Sequence, residues 1–190
     1  MKPDWEIKLL TAAFMLVLAA MFILPFFSVP GYSIIRNTLS DLGAQSAPHA
    51  WIMNGLFIFL AFCSVIAGWG YFEGFIFHRI VLILFGISLG LMAIFNPTPI
   101  RPDIQYSLTE DGWHAYFSST AGLSFVILSI ATGFILEKQQ DRLMSIAAGA
   151  AVILLSVLMS EADRSAGIWQ RLMFILSFGW MLYTFKTREL

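Results

Sequence analysis

The chain has 190 residues, of which 58% are hydrophobic and only 12% are charged. Soluble domains have about 45–50% apolar and about 25% charged residues, so this composition indicates an integral membrane protein. Eleven basic residues against 12 acidic ones give a net charge of -1, which argues against nucleic-acid binding. Cys63 is the only cysteine, so one chain forms neither a disulfide nor a thiolate metal cluster.

Six apolar segments, each long enough to cross a bilayer as a helix, take up most of the chain. They are predicted at residues 7–28, 50–72, 77–96, 113–136, 143–160 and 168–185. Proline and glycine at Pro30-Gly31 end the first segment, and three prolines between Asn96 and Asp103 exclude a helix there. The sequence therefore predicts a single all-α domain over residues 1–190, a bundle of six transmembrane helices.

The basic residues predict the orientation of this bundle, because short cytoplasmic loops are enriched in lysine and arginine. With the amino terminus inside, all four lysines fall on the cytoplasmic side, and the outer side holds only Arg36, Arg101, Arg164 and Arg171. Both termini are therefore predicted to be cytoplasmic. The inner connections, including the turn 137–142, are interpreted as ordinary solvated turns, and His78 as a surface residue.

Asp111, His114 and Ser118 lie at positions i, i+3 and i+7 where the fourth span begins, so they share one helix face. A carboxylate that orients an imidazole beside a hydroxyl can activate a nucleophile or a water. In the alternative interpretation, Asp111 favours the positive helix start, His114 lies among lipid headgroups and Ser118 bonds its own backbone.

The first connection carries a second polar cluster. Thr38-Leu-Ser-Asp41 fits the capping-box pattern, with Thr38 as the cap and Asp41 at the third helical position. In the competing interpretation, Ser40 and Asp41 form a polar site together with His114. Arg36 or Arg164 would then bind an anionic headgroup or phosphate.

Arg171 is predicted within the first turns of the sixth helix, where a charge needs a partner or must reach the surface. Its structural interpretation is an ion pair with Glu161 or Asp41. Its functional interpretation is anion binding, shared with other polar residues of the outer side. The candidate ligand-binding residues are Arg36, Asn37, His49, Arg164 and Arg171.

A zinc site would need His49 and His114 to meet, with Asp41 or Asp111 as a third ligand. No His-x-x-x-His pair enforces that geometry. We therefore expect no metal and no other cofactor.

The stretch Asn37-Thr-Leu-Ser-Asp-Leu-Gly43 and the later Met53-Asn-Gly55 resemble the hallmark of DUF998, a family of six-span bacterial and archaeal membrane proteins. Asp111-x-x-His114 and Gly167-x-x-x-Arg171 also resemble its pattern. The resemblance implies a six-helix domain in a bacterial or archaeal cell membrane, distantly similar to eukaryotic DRAM-like proteins. It implies no activity. Ala115 stands where many relatives have a second histidine, which further disfavours a metal.

Two functions stay open. The first is an intramembrane enzyme, hydrolase-like, acting on a lipid or lipid-linked headgroup. His114 would be its general base, Asp111 or Asp41 would orient the ring, and Ser40 or Ser118 would supply a hydroxyl. The second is a non-enzymatic protein for lipid or small-molecule binding, transport or scaffolding. No charged residue is predicted mid-span, which argues against an ion-coupled carrier. Membrane lipids are the predicted partners, and a homo-oligomer is left open.

Overall fold

A computed structural model describes residues 5–101 and 103–187. Within them the chain forms six α-helices: α1 (Trp5–Ile23), α2 (Ala50–Tyr71), α3 (Ile76–Ile94), α4 (Leu108–Ile135), α5 (Gln139–Glu161) and α6 (Ala166–Thr187). Short 3-10 helices cover Leu24–Phe27, Ser40–Gly43 and Asp163–Ser165. The described part contains no strand. The all-α fold class is confirmed.

Five of the helices in the described residues, α1 to α5, are long and apolar enough to cross a membrane. The sixth, α6, has 22 residues but includes the polar pair Gln170 and Arg171. A membrane protein with several spanning helices is therefore supported. Six spans and cytoplasmic termini stay predictions.

Each helix packs against the next one along the chain, and α1 also contacts α6, so the six helices close into a ring. The first loop (residues 28–49), the second loop (residues 95–107) and the turn before α6 lie at one end of the bundle. The N–H of Gln45 donates to the carbonyl of Pro97 at 3.0 Å, and the N–H of Gly167 donates to that of Arg36 at 3.2 Å. We call this end the rim. Near the middle of the bundle, the ring of Phe85 packs against Phe125 and Phe178, with centroids 6.2 and 6.1 Å apart.

Two helices begin four or more residues earlier than their apolar segments predicted. The start of α4 is Leu108 rather than residue 113, because the hydroxyl of Ser107 accepts the backbone N–H of Glu110 at 3.3 Å and caps the helix. The start of α5 is Gln139 rather than residue 143. An apolar segment marks only the part of a helix whose side chains are compatible with the lipid interior. The hydrogen-bonded helix can extend beyond it into polar residues, so its start lies earlier in the sequence.

The end of the bundle opposite the rim is less solvated than predicted. Asp141 belongs to the first turn of α5, is buried, and accepts a hydrogen bond from the hydroxyl of Tyr183 at 2.8 Å. His78 is also buried, and its ring stacks on Phe72 with centroids 5.0 Å apart. The interpretation of His78 as a surface residue and of Asp141 as part of a solvated turn is wrong. The rings of Phe72 and Phe75 pack against His78, and Tyr183 of α6 contacts Asp141.

Candidate functional site

The first loop is held against the start of α6 by backbone contacts. The N–H groups of Gly167 and Ile168 donate to the carbonyls of Arg36 and Ile35, at 3.2 and 3.3 Å. A helix start leaves N–H groups without partners inside the helix, so the first loop caps α6. A Cβ atom at Gly167 would overlap the carbonyl oxygen of Asn37. Glycine therefore permits this close approach.

Arg171 fixes the same loop from its other side. The side chain is 4% exposed. Its Nη1 donates to three carbonyl oxygens, each at 2.9 Å, those of Ile34, Asn37 and Gly167. Its Nη2 donates to the hydroxyl of Tyr32 at 2.7 Å. Among the described residues, no carboxylate forms an ion pair with Arg171. The predicted pair with Glu161 or Asp41 is therefore wrong, because loop carbonyls occupy the guanidinium instead.

Gln170, next to Arg171, binds backbone N–H groups of the first loop, whereas Arg171 binds backbone carbonyls. Its side-chain oxygen accepts the N–H groups of Leu39 and Ser40, and its amide donates to the hydroxyl of Ser40 at 3.0 Å. One residue of α6 thus satisfies loop N–H groups while its neighbour satisfies loop carbonyls. Sequence reasoning missed Gln170. The only signal was an amide side chain beside an arginine in an otherwise apolar helix.

The capping box predicted in the first loop is confirmed. The N–H of Thr38 donates to the carboxylate of Asp41 at 2.8 Å, and the N–H of Asp41 donates to the Thr38 hydroxyl at 3.3 Å. The helix that follows is the short 3-10 turn Ser40–Gly43 rather than an α-helix. The side chain of Asn37 also donates to Asp41, at 3.3 Å. Asp41 therefore has a structural task inside the loop.

Two further amides join the first loop to its neighbours. Asn54 on α2 donates to the carbonyl of Gly43 at 3.1 Å and to the side-chain oxygen of Asn96 at 2.8 Å. Gln45 donates to the carbonyls of Asn96 and Ser107, both at 3.0 Å, and accepts the N–H of Ser107 at 2.8 Å. The first and second loops are consequently bound to each other. Sequence reasoning assigned no task to Gln45 or Asn54.

On α4, Asp111 and His114 face α3 and the second loop, but they do not bond each other. The carboxylate of Asp111 accepts the N–H of Thr98 at 2.9 Å. The Nδ1 atom of His114 lies 2.7 and 2.9 Å from the carbonyls of Met92 and Phe95. Carbonyls only accept hydrogen bonds, so Nδ1 carries a hydrogen. The prediction that Asp111 orients His114 is wrong, because unpaired carbonyls at the end of α3 perform that task.

This arrangement leaves the second ring nitrogen of His114 available. The residue is 8% exposed, and its Nε2 has no hydrogen-bond partner within the described residues. In the neutral ring, Nε2 then carries the lone pair and can accept a hydrogen bond. Ser118, one turn further along α4, is half-buried. Its hydroxyl bonds neither His114 nor any other side chain that the structure describes.

A cavity of about 60 Å³ lies inside the bundle beside this face, between α3, α4, α5 and α6. Its walls are mostly apolar, and the aromatic rings of Phe85, Phe125 and Phe178 form part of them. The polar residues that line it are Ser118, Gln170 and Ser177. Gln170 thus belongs both to the cavity wall and to the contact with the first loop.

The sequence model of one family, described as Protein of unknown function (DUF998), matches residues 11–185. The chain belongs to the DUF998 family. No curated protein and no solved structure gives a significant match. The matched range of this DUF998 protein covers both loops of the rim and nearly all of α6, and it confirms the resemblance expected from the motifs.

The side chains of three predicted ligand-binding residues of the DUF998 protein lie apart from the contacts that join the loops and α6. The side chains of Arg36, His49 and Arg164 are exposed and form no hydrogen bond with any described residue. His49 precedes α2 with a left-handed backbone, at φ 58°. Among the described residues, no group of three or more His, Cys, Asp or Glu side chains could hold a metal ion.

Proposed function

We propose that this protein binds an amphiphilic lipid or small molecule at its rim without converting it chemically, and that Nε2 of His114 accepts a hydrogen bond from the polar head. The observation that carries the proposal is the His114 ring, which is buried, held at Nδ1 by two carbonyls and free at Nε2. The rim lies at the predicted membrane surface, where a polar pocket meets lipids first.

Binding without chemistry is favoured because three of the other four candidate catalytic groups, all but Ser118, already have structural partners. Ser40 bonds Gln170, Asp41 bonds the backbone of its own loop, and the carboxylate of Asp111 bonds the second loop. A base needs a hydroxyl or water within hydrogen-bond reach, and no hydroxyl of the described residues bonds to His114. The exposed Arg36 and Arg164 can meet anionic headgroups, although neither is fixed in place.

One observation supports a second function, a hydrolase-like enzyme acting on a lipid headgroup. A neutral histidine with its Nδ1 hydrogen held by an acceptor and a free Nε2 lone pair has the form of a general base. The two carbonyls behind His114 replace the carboxylate that usually orients such a ring. Catalytic hydrogen bonds are often completed only when the substrate binds, so Ser118 or a water could act beside His114.

His114→Asn tests both functions. The asparagine amide nitrogen replaces Nδ1 and can still donate to Met92 or Phe95, whereas the acceptor at Nε2 is lost. We expect lipid affinity, measured in nanodiscs with lipids extracted from the expression host, to fall by about fivefold, the value of one hydrogen bond. The exposed His49→Asn is the matched control and should bind as the unmodified protein does.

Turnover of the same lipids, followed by mass spectrometry, separates the two functions. Binding that weakens in His114→Asn, with no product from the unmodified protein, supports a binding protein. Product formation that His114→Asn abolishes supports the enzyme. Unchanged lipid affinity in a stably folded His114→Asn, together with unchanged turnover, rejects both roles for this residue.

A further inference from the structure

The cavity between α3, α4, α5 and α6 has walls suited to an uncharged occupant. Four phenylalanines and two methionines line it, and no charged side chain of the described residues does. A charged group would lose its hydration there without gaining a counter-ion. The cavity volume of about 60 Å³ is enough for a few water molecules, each of which needs about 10–15 Å³, or for the end of one narrow alkyl chain.

Two hydroxyls at this cavity have no protein partner. Ser177 is 7% exposed, lines the cavity and forms no hydrogen bond within the described residues, and the hydroxyl of Ser118 is likewise unpaired. Some other helix hydroxyls in this chain bond their own backbone. Ser64 and Thr132, for example, each donate to the carbonyl four residues earlier, at 2.7 Å. The hydroxyls of Ser118 and Ser177 are thus available to an occupant.

Water alone fits this cavity poorly. A buried water makes about three hydrogen bonds, and an apolar wall supplies none. Gln170 already uses both ends of its amide on the first loop. Several waters would therefore lack hydrogen-bond partners, because only two free hydroxyls are available to them. An alkyl chain with one oxygen can instead pack against the phenylalanine rings and form hydrogen bonds with the two serines.

The cavity also lies close to His114. Met92 lines the cavity, and its carbonyl accepts the Nδ1 hydrogen of His114. Ser118 lies one turn from His114 on α4. An amphiphile with its head at His114 therefore has an apolar space next to it for its chain.

We infer that this cavity binds the end of a slender, uncharged alkyl chain that has a hydroxyl or carbonyl oxygen, and that Ser118 and Ser177 bond this oxygen. The inference rests on the proposed function in one respect, that the ligand is an amphiphile. It adds the chemistry of the ligand's apolar chain. A saturable site for a neutral alcohol would establish the cavity whether or not His114 binds a head.

Octanol that carries a diazirine, activated by light, is the test probe. We expect it to label the peptides that contain Met92, Ser118 or Met173 in the protein in nanodiscs, and excess unlabelled octanol to prevent this. Diffuse labelling that excess octanol does not reduce would overturn the inference.

Gly122→Leu and Gly179→Leu form a matched pair for this experiment. A Cβ atom at either glycine has no other atom within 4 Å, so the backbone at both positions has room for the first atom of a side chain. Gly122 lines the cavity, whereas Gly179 lines an open groove between α5 and α6. Labelling should fall to background in Gly122→Leu and persist in Gly179→Leu. Equal labelling in both variants would reject the cavity as the binding site.

Ser177→Ala tests the hydroxyl without changing the volume appreciably. Competition by octanol should weaken by about fivefold, as expected for one lost hydrogen bond. Unchanged competition would reject the role of Ser177 even if the cavity is labelled. A failure of His114→Asn to change lipid binding, with saturable cavity labelling intact, would reject the proposed head site alone.

Discussion

A guanidinium buried between packed helices needs acceptors, and Arg171 finds most of them in the first loop. Its fork geometry lets one nitrogen contact three carbonyls while a second reaches the hydroxyl of Tyr32. Such a fork is specific to arginine, because an ammonium group is a single point of charge. Arg171 is thus a structural residue whose charge is matched by peptide dipoles.

We predict that Arg171→Met lowers the free energy of unfolding by about 2–5 kcal/mol, because it leaves several buried acceptors unpaired. Arg171→Lys should recover only part of this loss. Arg36→Met, at an exposed arginine of the same rim, should change stability by less than about 0.5 kcal/mol. Reversible unfolding in mixed micelles measures all three. Equal stability of Arg171→Met and Arg36→Met would contradict the structural role of Arg171.

Tyr32 gives the rim a dependence on alkaline pH. Burial raises the pKa of Tyr32, and this effect outweighs the nearby Arg171, which lowers it. A folded-state pKa above the unfolded value favours the folded protein at lower pH, so this contribution is complete below about pH 10 and is lost as the pH rises through the folded pKa.

Melting temperatures of the unmodified protein and of Tyr32→Phe between pH 8 and pH 11 test this dependence. The unmodified protein should lose more stability than Tyr32→Phe once the pH passes about 10. Parallel curves for the two proteins would show that ionisation of Tyr32 does not affect the rim.

At the level of elements, the start of α6 is capped by a segment far away in the sequence. The N–H groups of Gly167 and Ile168 bond carbonyls of the first loop, and the side chains of Gln170 and Arg171 bond the same loop. Gly43 similarly allows the side chain of Asn54 to approach. The rim is therefore built by close backbone contacts between elements.

Gly167→Ala and Gly43→Ala should each destabilise the protein by about 1–3 kcal/mol, because the added methyl group overlaps its neighbours and forces these elements apart. Gly112→Ala is the control, since a Cβ atom at Gly112 has no other atom within 4 Å. Alanine favours a helix over glycine, so Gly112→Ala should be neutral or slightly stabilising. Thermal unfolding measures the series. A neutral Gly167→Ala would contradict the contact between α6 and the first loop.

The elements themselves were largely predictable, and so was the capping box of Thr38 and Asp41, because both depend on local patterns. The partners of Arg171 and His114 were not predictable. Each bonds backbone carbonyls, and any residue type could supply these. Gln45, Asn54 and Gln170 were missed for the same reason: an amide side chain has no characteristic spacing to its partners. Only the closed ring of helices brings these groups together.

For the whole molecule, the ring of helices places both loops and the start of α6 at one end, and the sequence predicts that this end faces away from the cytoplasm. Cys63 is buried, so an introduced exposed cysteine can be labelled selectively. We expect a membrane-impermeant maleimide added to intact cells to label His49→Cys but not Lys138→Cys. Labelling of Lys138→Cys alone would invert the predicted orientation, and labelling of both would contradict the predicted number of crossings.

The contact between Gln170 and the first loop also sets the order in which the molecule can be completed during synthesis. Leu39 precedes its partner Gln170 by 131 residues. At a translation rate of about 5–20 residues per second, these partners emerge on the order of ten seconds apart. The first loop therefore leaves the ribosome long before the side chains of α6 that bond it have been synthesised, and the rim is completed only when α6 packs against the loop.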